Sequence, residues 1–160
     1  MLVVKKMVTF VKNAYQLVKQ ITWDDVIKKM ENEFEEKSPV IGVNGKQAPT
    51  IILYNKNRNQ PLSIFNALKE IQNDWVTIGC HVYTSFGKSA VSFGRHKDND
   101  NVLIVGAIGS VSYKFDDGTI HRVEPGDLLY IPSGVYHDPI IHSARATLSI
   151  STPQSPPIQI

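Results

Sequence analysis

A single cysteine, Cys80, occurs in the 160 residues, which excludes an intramolecular disulfide and points to a reducing, cytoplasmic setting. Long apolar runs are missing too. The opening MLVVKKMVTFVK is broken by lysine too often for a secretory core or a membrane-spanning helix. No block of one charge sign stands out: the formal net charge is +2, and residues 1 to 40 hold seven Lys against six Asp plus Glu, so no basic face for nucleic acid is evident. Two catalytic signatures are absent as well. GAIGS lacks the third glycine of a dinucleotide loop, and Ser133, in PSG, lacks the G-x-S-x-G of a nucleophile elbow.

What remains is a soluble chain with 42% hydrophobic residues, enough for one domain with its own core. Its character changes about halfway. In TWDDVIKKMENEF, Thr22 is placed to cap a helix, with Asp25 three residues on and Val26, Ile27, Met30 and Phe34 on one face. SIFNALKEIQND predicts a second helix capped by Ser63, with Ile64, Leu68 and Ile71 inward. Residues 2 to 20 read equally as helix or strand. From Trp75 the pattern is all short β-rich runs between Gly, Asp and Pro turns: WVTIGCHVYT, SAVSFG, NVLIVGAIG, SVSYKF, TIHRVE, DLLYIP and TLSIS. The expected fold is mainly β with flanking N-terminal helices: a mixed flank over 1–74, a closed barrel over 75–153 and an extended tail over 154–160. Trp23 and Trp75 read as fillers between helix and barrel, and Cys80 as a small core residue.

The stretch EPGDLLYIPSGVYHDP sets a short strand between two turns and then places His137. Partners for it lie in SFGRHKDNDN. His96 and Asp98 are two apart, so on a strand they leave by the same face. With His137 from another strand they make two imidazoles and one carboxylate on one side of a metal, the set used by non-haem Fe(II) sites that keep positions open. The alternative is a charged turn with an accidental spacing. His81, His121 and His142 have no neighbour at ligand spacing, and His142 is the nearest reserve.

Gly126, Pro132, Gly134 and His137 stand at the spacing of the second cupin motif, with Ile141 in place of its final Asn. In the first motif Asp98 replaces the second histidine, Val102 the usual Glu, and Gly109 is matched. His96-Lys97-Asp98, Asn101, Gly109, GDLLYIPSGVYH and TLSIST follow in the order seen in the cupin-like and JmjC-type 2-oxoglutarate oxygenases, which residues 75 to 153 therefore resemble. The resemblance implies a double-stranded β-helix (cupin or jelly-roll barrel) and Fe(II) held by His96, Asp98 and His137. It also implies 2-oxoglutarate as cosubstrate, dioxygen as oxidant, and hydroxylation of an unidentified substrate.

For the distal carboxylate of 2-oxoglutarate the family's usual Lys or Arg falls on Val111, so the charge must come from elsewhere. Arg145-x-Thr147 resembles the Arg-x-Ser pair that other 2-oxoglutarate oxygenases carry on the last strand, and a guanidinium offers a bidentate fork. Lys114 is the reserve if its strand is bulged; the other alternative for Arg145 is plain exposure to solvent. Asn101 and Tyr83 complete the candidate cosubstrate residues. Tyr83 and Tyr113 read either as pocket lining or as core. The second functional class is a metal-binding cupin without oxygenase activity, isomerase-like or small-ligand binding. Exposed strand edges and the Pro-rich tail predict weak self-association or a homodimer.

Overall fold

The computed structural model describes residues 7–36, 40–41, 50–54 and 60–156, with the side chains of 33–36, 40, 41 and 54 outside that description. The capping expected at Thr22 is formed: its backbone N–H donates to Asp25 Oδ2 at 2.9 Å, and the Asp25 N–H donates to Thr22 Oγ1 at 3.3 Å. This starts helix α1, Trp23–Glu36. Val26 is buried and Met30 packs against the core, whereas Ile27 is exposed, because the apolar stripe is narrower than the sequence implied. The Phe34 side chain lies outside the described residues. Helix α2, Leu62–Gln72, begins one residue before Ser63, with Pro61 in the capping position. Ser63 therefore sits in the first turn and is not the cap; the helix starts on the Pro61 carbonyl, which accepts from the Ile64 and Phe65 N–H groups at 3.1 Å. Ile64, Leu68 and Ile71 are buried as expected. The ambiguous opening resolves into both alternatives, strand β1 (Thr9–Val11) and a 3-10 turn at Leu17–Gln20; residues 1–6 lie outside the description.

Two antiparallel sheets follow. The larger runs β1-β8-β5-β10-β4-β3-β2, with β2 (Val40–Ile41), β3 (Ile51–Tyr54), β4 (Gly79–Ser85), β5 (Asn101–Ile108), β8 (Leu128–Ile131) and β10 (Arg145–Thr152). The smaller runs β7-β6-β9, with β6 (Val111–Phe115), β7 (Ile120–Val123) and β9 (His137–Ile141). The strand expected at SAVSFG does not form; among its residues only Val91 makes a β-bridge, and Gly94 turns the chain with φ 68°.

Strand alternation sorts the apolar residues into two cores. Leu103, Val105, Leu128, Tyr130, Ala146, Leu148 and Ile150 face the helices, where they meet Val26, Leu68, Ile71 and Trp75. Val102, Ile104, Leu129 and Ile131 face the smaller sheet's Val111, Tyr113, Phe115 and Ile141. Trp75 stacks on Tyr130 at 5.8 Å between ring centres, the filling role read from sequence, and Cys80 is buried in the helix-side core. Gly109, with φ 65°, makes the corner between the sheets, where any side chain would strike the Ala144 carbonyl. None of the described helices is long and apolar enough to cross a membrane.

Candidate metal and cosubstrate site

Beyond Gly94 the chain meets the start of β9 at a single antiparallel bridge. The His96 N–H donates to the His137 carbonyl at 2.9 Å, and the His137 N–H to the His96 carbonyl at 2.8 Å. Two further bonds tie the following residues to the PSG turn. The Gly134 N–H reaches the Asp98 carbonyl at 2.9 Å, and the Ser133 N–H reaches Asn101 Oδ1 at 2.9 Å. The charged run HKDNDN is thus fastened to the segment that delivers His137.

Each histidine also uses its Nδ1 locally: His96 Nδ1 lies 2.8 Å from the Gly94 carbonyl and His137 Nδ1 lies 3.0 Å from that of Val135. A carbonyl can only accept, so Nδ1 carries the proton and each Nε2 lone pair is free for a metal. His137 Nε2 is 3.4 Å from Asp98 Oδ2, and one ligand atom from each of the three residues lies within 4.8 Å of the others. Burial of His137, which is 3% exposed, together with the nearby His96, holds its pKa below the usual imidazole value. The imidazole is therefore neutral at neutral pH, with its Nε2 lone pair available to a metal. Three ligands of this type on one side fit a divalent ion with open coordination positions.

His96, Asp98 and His137 open on a cavity of about 330 Å³, including the part open to solvent. At the cavity lies Arg145, 1% exposed, with its Nε donating to Ser85 Oγ at 3.3 Å and Nη1 without a hydrogen-bond partner. Its guanidinium sits 5.9 Å from the centre of the Tyr83 ring and against Tyr113, and burial lowers its pKa from the ordinary value. No ion pair neutralises it among the described residues.

The structure thus brings His96, Asp98, His137, Arg145 and Tyr83 to one cavity. Arg145 is buried and does not face solvent. Lys114 is not there: β6 keeps an unbroken register with both neighbours, so Lys114 projects outward beside Asp138 and is exposed. Asn101 spends its side chain on Ser133 and on the Gln154 carbonyl, at 3.4 Å. Thr147 is buried but does not line the cavity, whereas Ser149 does, after a register shift between Ala146 and Thr147 against β5. His142 binds Ser112 Oγ at 2.6 Å, and His121 stacks on Phe10, so neither joins the ligands. Tyr113 joins Tyr83 as lining and is not merely core. Sequence reasoning missed Phe93, 45% exposed, whose ring stands edge-on to both Tyr83 and His96. Its signal is a phenylalanine three residues before His96, masked by the strand-like composition of SAVSFG.

Residues 113–159 match the JmjC domain family. The fold superimposes on the Escherichia coli ribosomal oxygenase YcfD in complex with cobalt and 2-oxoglutarate with a TM-score of 0.67 at 17% identity, over 96% of this chain and 49% of that one. It also superimposes on a Pseudomonas putida prolyl-4-hydroxylase with a TM-score of 0.57 at 14% identity, over 91% and 90% of the two chains. No curated protein matches the sequence. The chain spans about half the length of the ribosomal oxygenase. Two facing antiparallel sheets and these superpositions give the chain a jelly-roll (cupin) barrel fold, within which the JmjC match spans residues 113–159, including β9 and β10.

Proposed function

We propose that the barrel binds one Fe(II) through His96, Asp98 and His137 and is a 2-oxoglutarate-dependent oxygenase, most simply a hydroxylase. The observation that carries this reading is a buried, unneutralised Arg145 sharing one cavity with an open two-histidine, one-carboxylate cluster. A buried cation with an unfilled donor is costly unless an anion completes it. A diacid suits the cavity, with one end at the metal and the other at Arg145 Nη1. The cobalt and 2-oxoglutarate held by the ribosomal oxygenase support the same pairing.

The chemistry the metal supplies is activation of dioxygen coupled to decarboxylation of 2-oxoglutarate to succinate. The chain's own residues do the rest. Arg145, with the Tyr113 hydroxyl beside it, holds the distal carboxylate by charge-assisted hydrogen bonds. Ile104, Pro139 and Phe93 give the cavity apolar walls that limit water at the reacting centre. Asp98 contributes the one negative charge and His137 stays neutral, so the cluster carries a low charge suited to a divalent ion.

Calorimetry on anaerobic, Mn(II)-loaded protein tests the reading. Binding of 2-oxoglutarate that requires the metal, followed by succinate formation in air with Fe(II), supports it. Metal binding with no 2-oxoglutarate binding overturns it in favour of a non-oxygenase cupin.

A further inference from the structure

Arg145 also meets a chain of buried hydroxyl groups that do not line the cavity and whose direction can be derived. Thr50 Oγ1 is 2.8 Å from the Val91 carbonyl and 2.9 Å from Ser85 Oγ, and Ser85 Oγ is 3.3 Å from Arg145 Nε. Thr50 and Ser85 are both fully buried. A carbonyl cannot donate, so the Thr50 hydroxyl proton goes to Val91. Ser85 must then donate to Thr50, and its oxygen is left to accept from Arg145 Nε–H. Every proton has one destination, and the chain is polarised from the guanidinium to the backbone of the 87–96 segment.

Both ends bear on the site. One end sets the orientation of the Arg145 fork, leaving Nη1 as the free donor. The other seats the Val91 carbonyl, which takes the Thr50 N–H as well, at 3.0 Å. From Val91 the chain runs directly into Ser92 and Phe93 at the cavity and on to His96. We propose that Ser85 and Thr50 are positioning residues for anion binding: they fix the Arg145 side chain and register it against the cavity wall that carries Phe93 and His96. This rests on the oxygenase reading above. Filling that space by packing alone would need no hydroxyls. Two neutral hydroxyls in series, the first accepting from the guanidinium, also steady a buried cation while adding no negative charge that would compete with an incoming carboxylate.

The test compares Thr50→Val, which keeps shape and removes the hydroxyl, with Ser85→Ala, Thr50→Ser and the Thr50→Val/Ser85→Ala double variant. Each is measured for Mn(II) affinity, thermal midpoint and, in the Mn(II)-loaded anaerobic protein, calorimetric affinity for 2-oxoglutarate. Thr50→Val and Ser85→Ala are expected to weaken 2-oxoglutarate by about tenfold with Mn(II) affinity within about twofold of wild type. Thr50→Ser is expected to restore the affinity, and the double variant to be no weaker than Ser85→Ala, because one chain broken twice is lost once. Wild-type 2-oxoglutarate affinity in both single variants overturns the proposal while the oxygenase reading stands. So does an equal loss of Mn(II) and 2-oxoglutarate affinity with a lowered midpoint, which marks a purely structural role. A wild-type protein that takes Mn(II) but no 2-oxoglutarate overturns the oxygenase reading and the proposal with it.

Discussion

His96 and His137 exchange backbone hydrogen bonds in both directions, at 2.9 and 2.8 Å, and their rings stand 4.4 Å apart between centres. The bridge sets the separation of the two imidazoles before any ion arrives, leaving Asp98 to close the set from two residues further on. Asp98→Ala should therefore lower Mn(II) affinity by at least about a hundredfold, since it removes the one anionic ligand of three. The barrel should still melt cooperatively, because the site is open and contributes little to the cores. Titration monitored by the paramagnetic signal of free Mn(II) decides it, and unchanged affinity would sink the ligand assignment.

Arg145→Ala should weaken 2-oxoglutarate binding by about 2 kcal/mol or more, the scale of a lost pair of charge-assisted hydrogen bonds. Mn(II) affinity should be nearly intact. Lys114→Ala, on the outer face of β6, should leave both affinities at wild-type values. A loss confined to Lys114→Ala would move the anchor to the smaller sheet.

Thr22→Ala removes half of a reciprocal cap, including the Thr22 hydroxyl that lies 2.9 Å from Asp25 Oδ2. The expected cost is about 1 kcal/mol, seen as a fall of about 3 °C in the calorimetric midpoint. No change would show that packing of Val26 and Met30 alone holds α1 in place.

Burial pushes the Cys80 thiol up to about 12. A thiol raised above its unfolded value of 9.0 stabilises the fold fully below that pH, and the contribution is lost as pH rises toward the folded value, because only the unfolded chain then releases the proton. Chemical denaturation between pH 8 and 11 should show falling stability, with a shallower slope in Cys80→Ala. Alkylation of Cys80 at pH 8 should require unfolding. Rapid labelling of the native protein would contradict this burial.

Much of the site was legible because its signals are local. The two-residue spacing of His96 and Asp98 and the fixed turns around His137 need no knowledge of the sheets. The alternation of Arg145, Thr147 and Ser149 with Ala146, Leu148 and Ile150 correctly separated a polar face from a helix-side face. The register shift beyond Ala146 leaves no mark in the sequence, and it is Ser149, not Thr147, that reaches the cavity with Arg145. Strand β9 was hidden by Pro139, which reads as a strand breaker. It sits opposite Tyr113 on an edge strand, where a missing N–H costs nothing. SAVSFG carried strand-like residues, yet its Val91 carbonyl is engaged by Thr50, and Gly94 breaks any ladder.

The segment from Gly87 to Asp100 is held by discrete polar ties rather than by a continuous ladder: Val91 to Thr50, the exposed Arg95 to Asp116, His96 to His137, and Asp98 to Gly134. It carries His96 and Asp98, while His137 rides on the smaller sheet. The consequence is a division of kinetic roles. With no ladder to share the load, the segment is expected to open locally more readily than either sheet, so the His96 amide should exchange with solvent deuterium faster than the interior amides of β5 and β10. An ion bridging the segment to β9 would act as a latch on that door, and loading the site with Mn(II) should slow exchange at His96 while leaving the central strands unchanged.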